Sequence, residues 1–301
     1  MKKGIAGLLV LLLIAAIPVC SNASTTLKEK RISSSSKEAK RDLATKDRPV
    51  YKNKQKIGLN ASWKYAKYAK ITSGYAVFYR AKENRKEITI GVNAGHGTKG
   101  GGAVKTQCHP DGSPKVTGGT TAAGATTAMA VSGGMQFRDG TAESTVTLQM
   151  AKILKEKLLE EGYDVLMIRN QKDVQLDNVA RTVICNNVAD CHIALHWDSD
   201  GLSYDKGCFA ITVPDGIKKM EPVASHWKEH EELGAALIKG LRKQNVKICG
   251  NGFQDVDLTQ MSYSTVPSVD IELGNQSSDH SDKTLENLAD GLVKGINQFF
   301  E

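Results

Sequence analysis

Ile88-Thr-Ile-Gly-Val-Asn-Ala-Gly-His-Gly97 and Cys191-His-Ile-Ala-Leu-His-Trp197 decide the fold. The first opens as a β-branched run and closes on Gly-His-Gly. The second is a short apolar run interrupted by two histidines. Both read as buried strands that stop at polar residues. Between them lies an amphipathic helix over 143–161, with Val146, Met150, Ile153, Leu154 and Leu158 on one face and Gly162 ending it. A strand over 164–168 and a helix over 176–188 follow. Beyond the second stretch come a strand at 209–213, a helix at 227–241, a strand at 268–273 and a closing helix at 285–299. That last helix lines up Leu285, Leu288, Leu292, Ile296 and Phe299. The alternation predicts an α/β fold, a twisted mixed, mostly parallel sheet with helices on both faces. No internal repeat is visible.

One segment breaks the rhythm. Residues 97–142 are dominated by Gly, Thr, Ala and Ser, with little periodicity. A long loop inside a compact domain is usually functional, and here a flap or wall over a site is expected.

The N-terminus is of another kind. Lys2 and Lys3 precede an uncharged apolar run over 4–19, then Cys20-Ser-Asn-Ala23. The run falls short of the roughly 20 residues a membrane span needs. It reads as a signal peptide, residues 1–23, cleaved after Ala23, for a secreted or cell-wall protein. No later segment is apolar enough to span a membrane. Residues 1–86 hold 20 Lys/Arg against 5 Asp/Glu, whereas 87–301 hold 20 against 28. The overall charge of +7 therefore comes from the N-terminal segment. Residues 24–86 are expected to be largely flexible, with an aromatic and basic lead-in from about 57 that packs on the main domain, residues 87–301. Outside a cell such a segment is drawn to anionic wall polymers, not nucleic acid; a solvated linker is the plainer alternative. Five cysteines remain after cleavage, an odd number with no CxxC pair, which argues against a full disulfide framework and a cysteine metal site.

The chemistry gathers where strands and helices begin or end. His96 follows the first strand, Glu143 opens the first long helix, and His196 ends a buried strand. In open α/β sheets sites form beyond the carboxyl ends of strands. Two imidazoles and a carboxylate can hold Zn²⁺ with one position left for water. Each residue alone is an ordinary loop or strand-end group; their joint placement carries the reading. A fourth acid, Glu272 in Pro267-Ser-Val-Asp-Ile-Glu-Leu-Gly274, ends another hydrophobic strand. There it is either a satisfied ion pair or a general base. His192 shares a strand face with His196, and Asp270 shares one with Glu272, which suggests a buried His192–Asp270 pair. His226 and His230 are four apart on a helix rich in charge and are expected on a solvated face. Cys108-His109 lies in the long loop, and His280 is expected at the surface.

With these motifs in order, the stretch from about 88 to 300 resembles the catalytic domain of zinc-dependent N-acetylmuramoyl-L-alanine amidases. The resemblance rests on Val92-Asn-Ala-Gly-His-Gly97, Glu143, Leu176 to Arg181, Asn186-Asn187, Ile193-Ala-Leu-His196 and Pro267 to Gly274. It implies zinc held by His96, Glu143 and His196, and Glu272 as the catalytic acid–base. It implies peptidoglycan as substrate, cut between the muramic acid lactyl group and L-alanine. A zinc-dependent wall peptidase or carboxypeptidase, and a non-catalytic peptidoglycan-binding protein, are the alternatives. Departures from the pattern are Asn93 in place of a common Asp, the long spacing from His96 to Glu143, and the polar Asn275-Gln276. Oligomeric state is not legible.

Overall fold

The computed structural model describes residues 49–301. The expected signal peptide and residues 24–48 of the basic segment lie outside them. Ten strands are described: β1 (Gln55–Ile57), β2 (Ala76–Tyr79), β3 (Thr89–Ala94), β4 (Lys105–Gln107), β5 (Thr127–Met129), β6 (Asp164–Met167), β7 (Cys191–Asp198), β8 (Cys208–Thr212), β9 (Ile248–Asp255) and β10 (Ser268–Asn275). The α-helices are α1 (Glu143–Glu160), α2 (Asn178–Val188), α3 (Val223–Lys243), α4 (Thr259–Tyr263) and α5 (Asp282–Phe300).

Eight strands form one sheet in the order β1-β2-β6-β3-β7-β10-β8-β9, and β4-β5 pair separately. The contiguous β6-β3-β7-β10 run is parallel, as is β8-β9. The pairs β1-β2, β2-β6 and β10-β8 are antiparallel. This is the mixed, mostly parallel sheet that the alternation predicts.

Alternation along β7 and β10 divides the sheet into two unlike faces. Cys191, Ile193, Leu195 and Trp197, with Val269, Ile271 and Leu273, enter the main core against Leu154, Leu237 and Leu292 of α1, α3 and α5. The opposite face, under α2 and α4, carries His192, Ala194 and His196 beside Ser268, Asp270 and Glu272. A strand buried on both sides normally reads as continuously apolar. Here one side is polar, and that side leads to the carboxyl edge.

The sheet begins before residue 87. Residues 55–79, expected as a lead-in outside the main domain, supply β1 and β2. Trp63, Tyr65 and Tyr68 then pack with Val179, Val183 and Tyr263. Asp177 locks this arrangement, accepting from the Ile71 amide at 2.8 Å and from the Ala180 amide at 2.7 Å. One carboxylate thus caps α2 and ties the N-terminal strands to the sheet. Among the described residues no helix is long and apolar enough to cross a membrane.

Candidate active site

His96 lies two residues beyond β3 in a left-handed backbone conformation, φ 62°, uncommon for a residue other than glycine. Two buried arginines hold it there. Arg181 of α2 donates to the His96 carbonyl at 2.7 Å, to Ala94 O at 3.2 Å and to Thr98 Oγ1 at 2.8 Å. Arg169, just after β6, donates to Gly95 O at 2.9 Å and Ser144 O at 2.8 Å. Burial lowers the Arg181 guanidinium to about 9 and that of Arg169 to about 10, so both stay charged at neutral pH. The loop 93–98 is therefore fixed by charged donors, not left as a flexible turn.

The His96 ring is fixed as well. Its Nδ1 lies 3.0 Å from the carbonyl of Ser132. A carbonyl only accepts, so the ring proton sits on Nδ1 and Nε2 keeps its lone pair. Glu143 is the first residue of α1 and is buried. Its Oε2 accepts from the Met135 amide at 2.9 Å and its Oε1 from the Trp197 amide at 3.0 Å. The helix N-terminus further favours its charge. His196, near the end of β7, turns Nδ1 toward the same point. His196 Nδ1 is 3.0 Å from His96 Nε2 and 3.1 Å from Glu143 Oε1, and His96 Nε2 is 2.8 Å from Glu143 Oε1.

Three ligand-type atoms thus form a triangle, and His96, Glu143 and His196 are a group able to hold a metal ion. A tetrahedral zinc with bonds of about 2.0–2.1 Å sets its ligand atoms about 3.3 Å apart. The observed triangle is slightly tighter, and the donor set of two imidazoles and one carboxylate suits that ion. The electrostatics agree. Burial raises Glu143, but the neighbouring His196 and His96 outweigh it and hold the carboxyl well below the usual range. Burial works against charge on His196, but Asp270 and Glu143 more than compensate, so the pocket favours positive charge at this ring. The site gathers negative charge around two imidazoles and so favours a cation.

Glu272 of β10 is directly beside His196 of β7 in the parallel register. Its Oε2 has no hydrogen-bond partner. Burial, with Asp270 and Glu143 adding to it, lifts its carboxyl well above the usual range against the pull of His196.

The long loop supplies a wall. Besides Ser132 and Met135, Gly134 packs on the site at φ 82°, where a Cβ would come 2.8 Å from His96 Cδ2 and 2.9 Å from Glu143 Oε2. Farther out the loop is anchored by a buried charge cluster. His109 Nε2 lies 2.9 Å from Asp257 Oδ1, Lys115 Nζ lies 3.6 Å from it, and the Val116 amide donates to Asp257 Oδ2 at 2.8 Å. His109 is therefore committed to Asp257 and does not approach the histidine pair.

Two expectations are corrected. His192 and Asp270 do not pair: both ring nitrogens of His192 and Oδ1 of Asp270 lack partners. The register explains it, because His192 faces Ser268 and Asp270 faces Ala194. Two residues of strand, about 6.7 Å, separate the two side chains along the sheet. His230 is buried, its Nδ1 accepting from the Ser268 amide at 3.0 Å. Only His226 meets a partly exposed partner, Glu229, at 3.1 Å. His280 contacts Asp139 at 3.2 Å and stays partly exposed, as a surface residue should. Arg169 carries little signal in the sequence. Its signal was a lone arginine ending the apolar run Val165-Leu-Met-Ile168.

Fold and site together define an α/β domain with a place for a metal ion at the carboxyl edge of its sheet. More narrowly, the chain belongs to the N-acetylmuramoyl-L-alanine amidase family, whose profile matches residues 90–298. Among solved structures it is similar to the N-acetylmuramyl-L-alanine amidase of Mycobacterium smegmatis, with TM-score 0.58 and 16% identity over 71% of this chain and 96% of that one. The enzyme of Mycobacterium abscessus gives TM-score 0.56 and 18% identity over 71% and 99%. The amidase of Nostoc punctiforme gives 0.51 and 15% over 72% and 98%. At these identities the likeness shows the fold. No curated protein matches the chain.

Proposed function

We propose that this chain is a secreted, zinc-dependent amidase that cleaves the amide between the lactyl group of N-acetylmuramic acid and L-alanine in peptidoglycan. The observation that carries the reading is the convergence of His96, Glu143 and His196 with Glu272 in register alongside. Membership of the amidase family supports the choice of bond.

When bound, zinc supplies Lewis acidity toward the carbonyl and eases deprotonation of water. His96, Glu143 and His196 would hold it. Arg181 and Arg169 keep the His96 loop in place, so the ligand geometry does not depend on the metal to form. Glu272 takes the proton of the attacking water as the new C–O bond forms. It then delivers that proton to the L-alanine nitrogen as the C–N bond breaks. A carboxyl raised by burial accepts and returns a proton more readily near neutral pH. Residues 1–23 would direct export, and the basic residues 24–86 would hold the enzyme to anionic wall polymers. The excess of Lys and Arg there supports that part.

The test is digestion of purified peptidoglycan by the mature chain, with product masses read by mass spectrometry. Stem peptides with a free L-alanine amine, lost with a chelator and restored by Zn²⁺, are expected. Cleavage within the stem peptide instead would replace the amidase with a peptidase.

A further inference from the structure

Strand β10 turns two acids toward the polar face of the sheet, and Glu272 accounts for only one. The other, Asp270, is buried at 8% exposure between Ser268 and Glu272 on that face. A buried carboxylate is costly unless a charge or donor meets it. Its Oδ1 has no hydrogen-bond partner, and its Oδ2 lies 3.8 Å from His196 Nε2.

The sheet register leaves this approach open. Ala194 on β7 is flanked by Asn93 on β3 and Asp270 on β10. A methyl group at the centre leaves room between Asp270 and the ring of His196, two residues farther along the same strand face. Asn93 is occupied elsewhere, accepting from Arg181 at 3.2 Å. His192 faces Ser268, so it does not compete for Asp270.

The orientation of His196 completes the argument. Its Nδ1 points at His96 and Glu143. A neutral imidazole that offers Nδ1 to a metal keeps its proton on Nε2, and Nε2 faces Asp270. Carboxylates in that position fix the tautomer and ring orientation of metal-binding histidines and strengthen them as ligands.

We propose that Asp270 is a positioning residue for His196, holding the ring with Nδ1 toward the metal through its contact at Nε2. The inference rests on the zinc reading given above and adds the group that sets the third ligand.

The test measures zinc affinity of the full mature chain by competition with a chromophoric chelator, for the parent, Asp270→Leu and Asp270→Asn. Urea unfolding of the metal-free proteins runs in parallel. Asp270→Leu is expected to weaken zinc binding about 10–100-fold without lowering the metal-free unfolding midpoint. Asp270→Asn keeps the shape and an acceptor oxygen but loses the charge, so a smaller loss is expected. It also keeps the test decisive if the leucine variant fails to fold. The visible spectrum of the Co²⁺-loaded protein should shift in both, which a purely structural acid would not cause. Zinc affinities within twofold of the parent in both variants overturn the proposal while leaving the zinc reading intact. A parent that takes up no zinc overturns both.

Discussion

The Arg181 guanidinium, on helix α2, donates to the His96 carbonyl at 2.7 Å. That single contact couples the packing of α2 to the backbone of a proposed metal ligand. Arg181 is almost wholly buried and also serves Leu176 O at 3.0 Å. Replacing it with Met is expected to leave several buried carbonyls without donors. The cost is on the order of 3 kcal/mol, read as a drop in the urea midpoint of the metal-free protein. A change below about 1 kcal/mol would show that the loop holds itself.

Glu272→Gln is expected to separate binding from chemistry. The amide keeps the size of the side chain but cannot take a proton. Peptidoglycan cleavage should fall about 10²–10⁴-fold, while zinc content stays equal to the parent. A variant that keeps full activity ends the case for Glu272 as the proton carrier.

Gly95 tests the tightness of the site. A Cβ there would overlap the His196 ring, coming 2.7 Å from Nδ1. Gly95→Ala is therefore expected to turn the imidazole and reduce metal uptake, with far-ultraviolet circular dichroism unchanged. Metal stoichiometry on the purified variant checks this, and unchanged uptake would mean that the ring has slack.

The His109–Asp257 anchor makes a pH prediction. Burial raises the Asp257 carboxyl, but the His109 hydrogen bond, Lys115 and the Val116 amide outweigh it and hold it below the usual range. A carboxyl depressed in the folded state contributes stability that is present above its unfolded value, about 3.9. That contribution is lost as pH falls through the folded value. The stability gap between parent and Asp257→Asn should therefore be wide at pH 7 and narrow below about pH 4. Parallel stability–pH curves would contradict the assignment.

Much of this was legible in the sequence, for definable reasons. Strands β3, β7 and β10 are buried, so their apolar runs stand out, and α1 and α5 show one clean apolar stripe each. Strand β9 does not stand out, because Gly250 and Gly252 interrupt it at the sheet edge and only two of its eight residues are buried. Strands β1, β4 and β5 are three residues long, too short for periodicity to register. The polar residues were placed on the correct strand face by alternation alone. Their cross-strand partners were not, because register is set by the whole sheet. That is why Asp270 was expected opposite His192 and instead meets His196.

The segment from 97 to 142 leaves from His96 and returns to Glu143, whose side chains lie 2.8 Å apart. It is a closed excursion: departure and arrival are the same place. Outside residues 132–135, which touch the two side chains, its length is then free of the geometry it encloses. Doubling such a loop costs only about 0.6 kcal/mol in closure entropy. Descendants of this chain could lengthen or redecorate its outer part, and so reshape what docks against the carboxyl edge of the sheet, without moving either terminus.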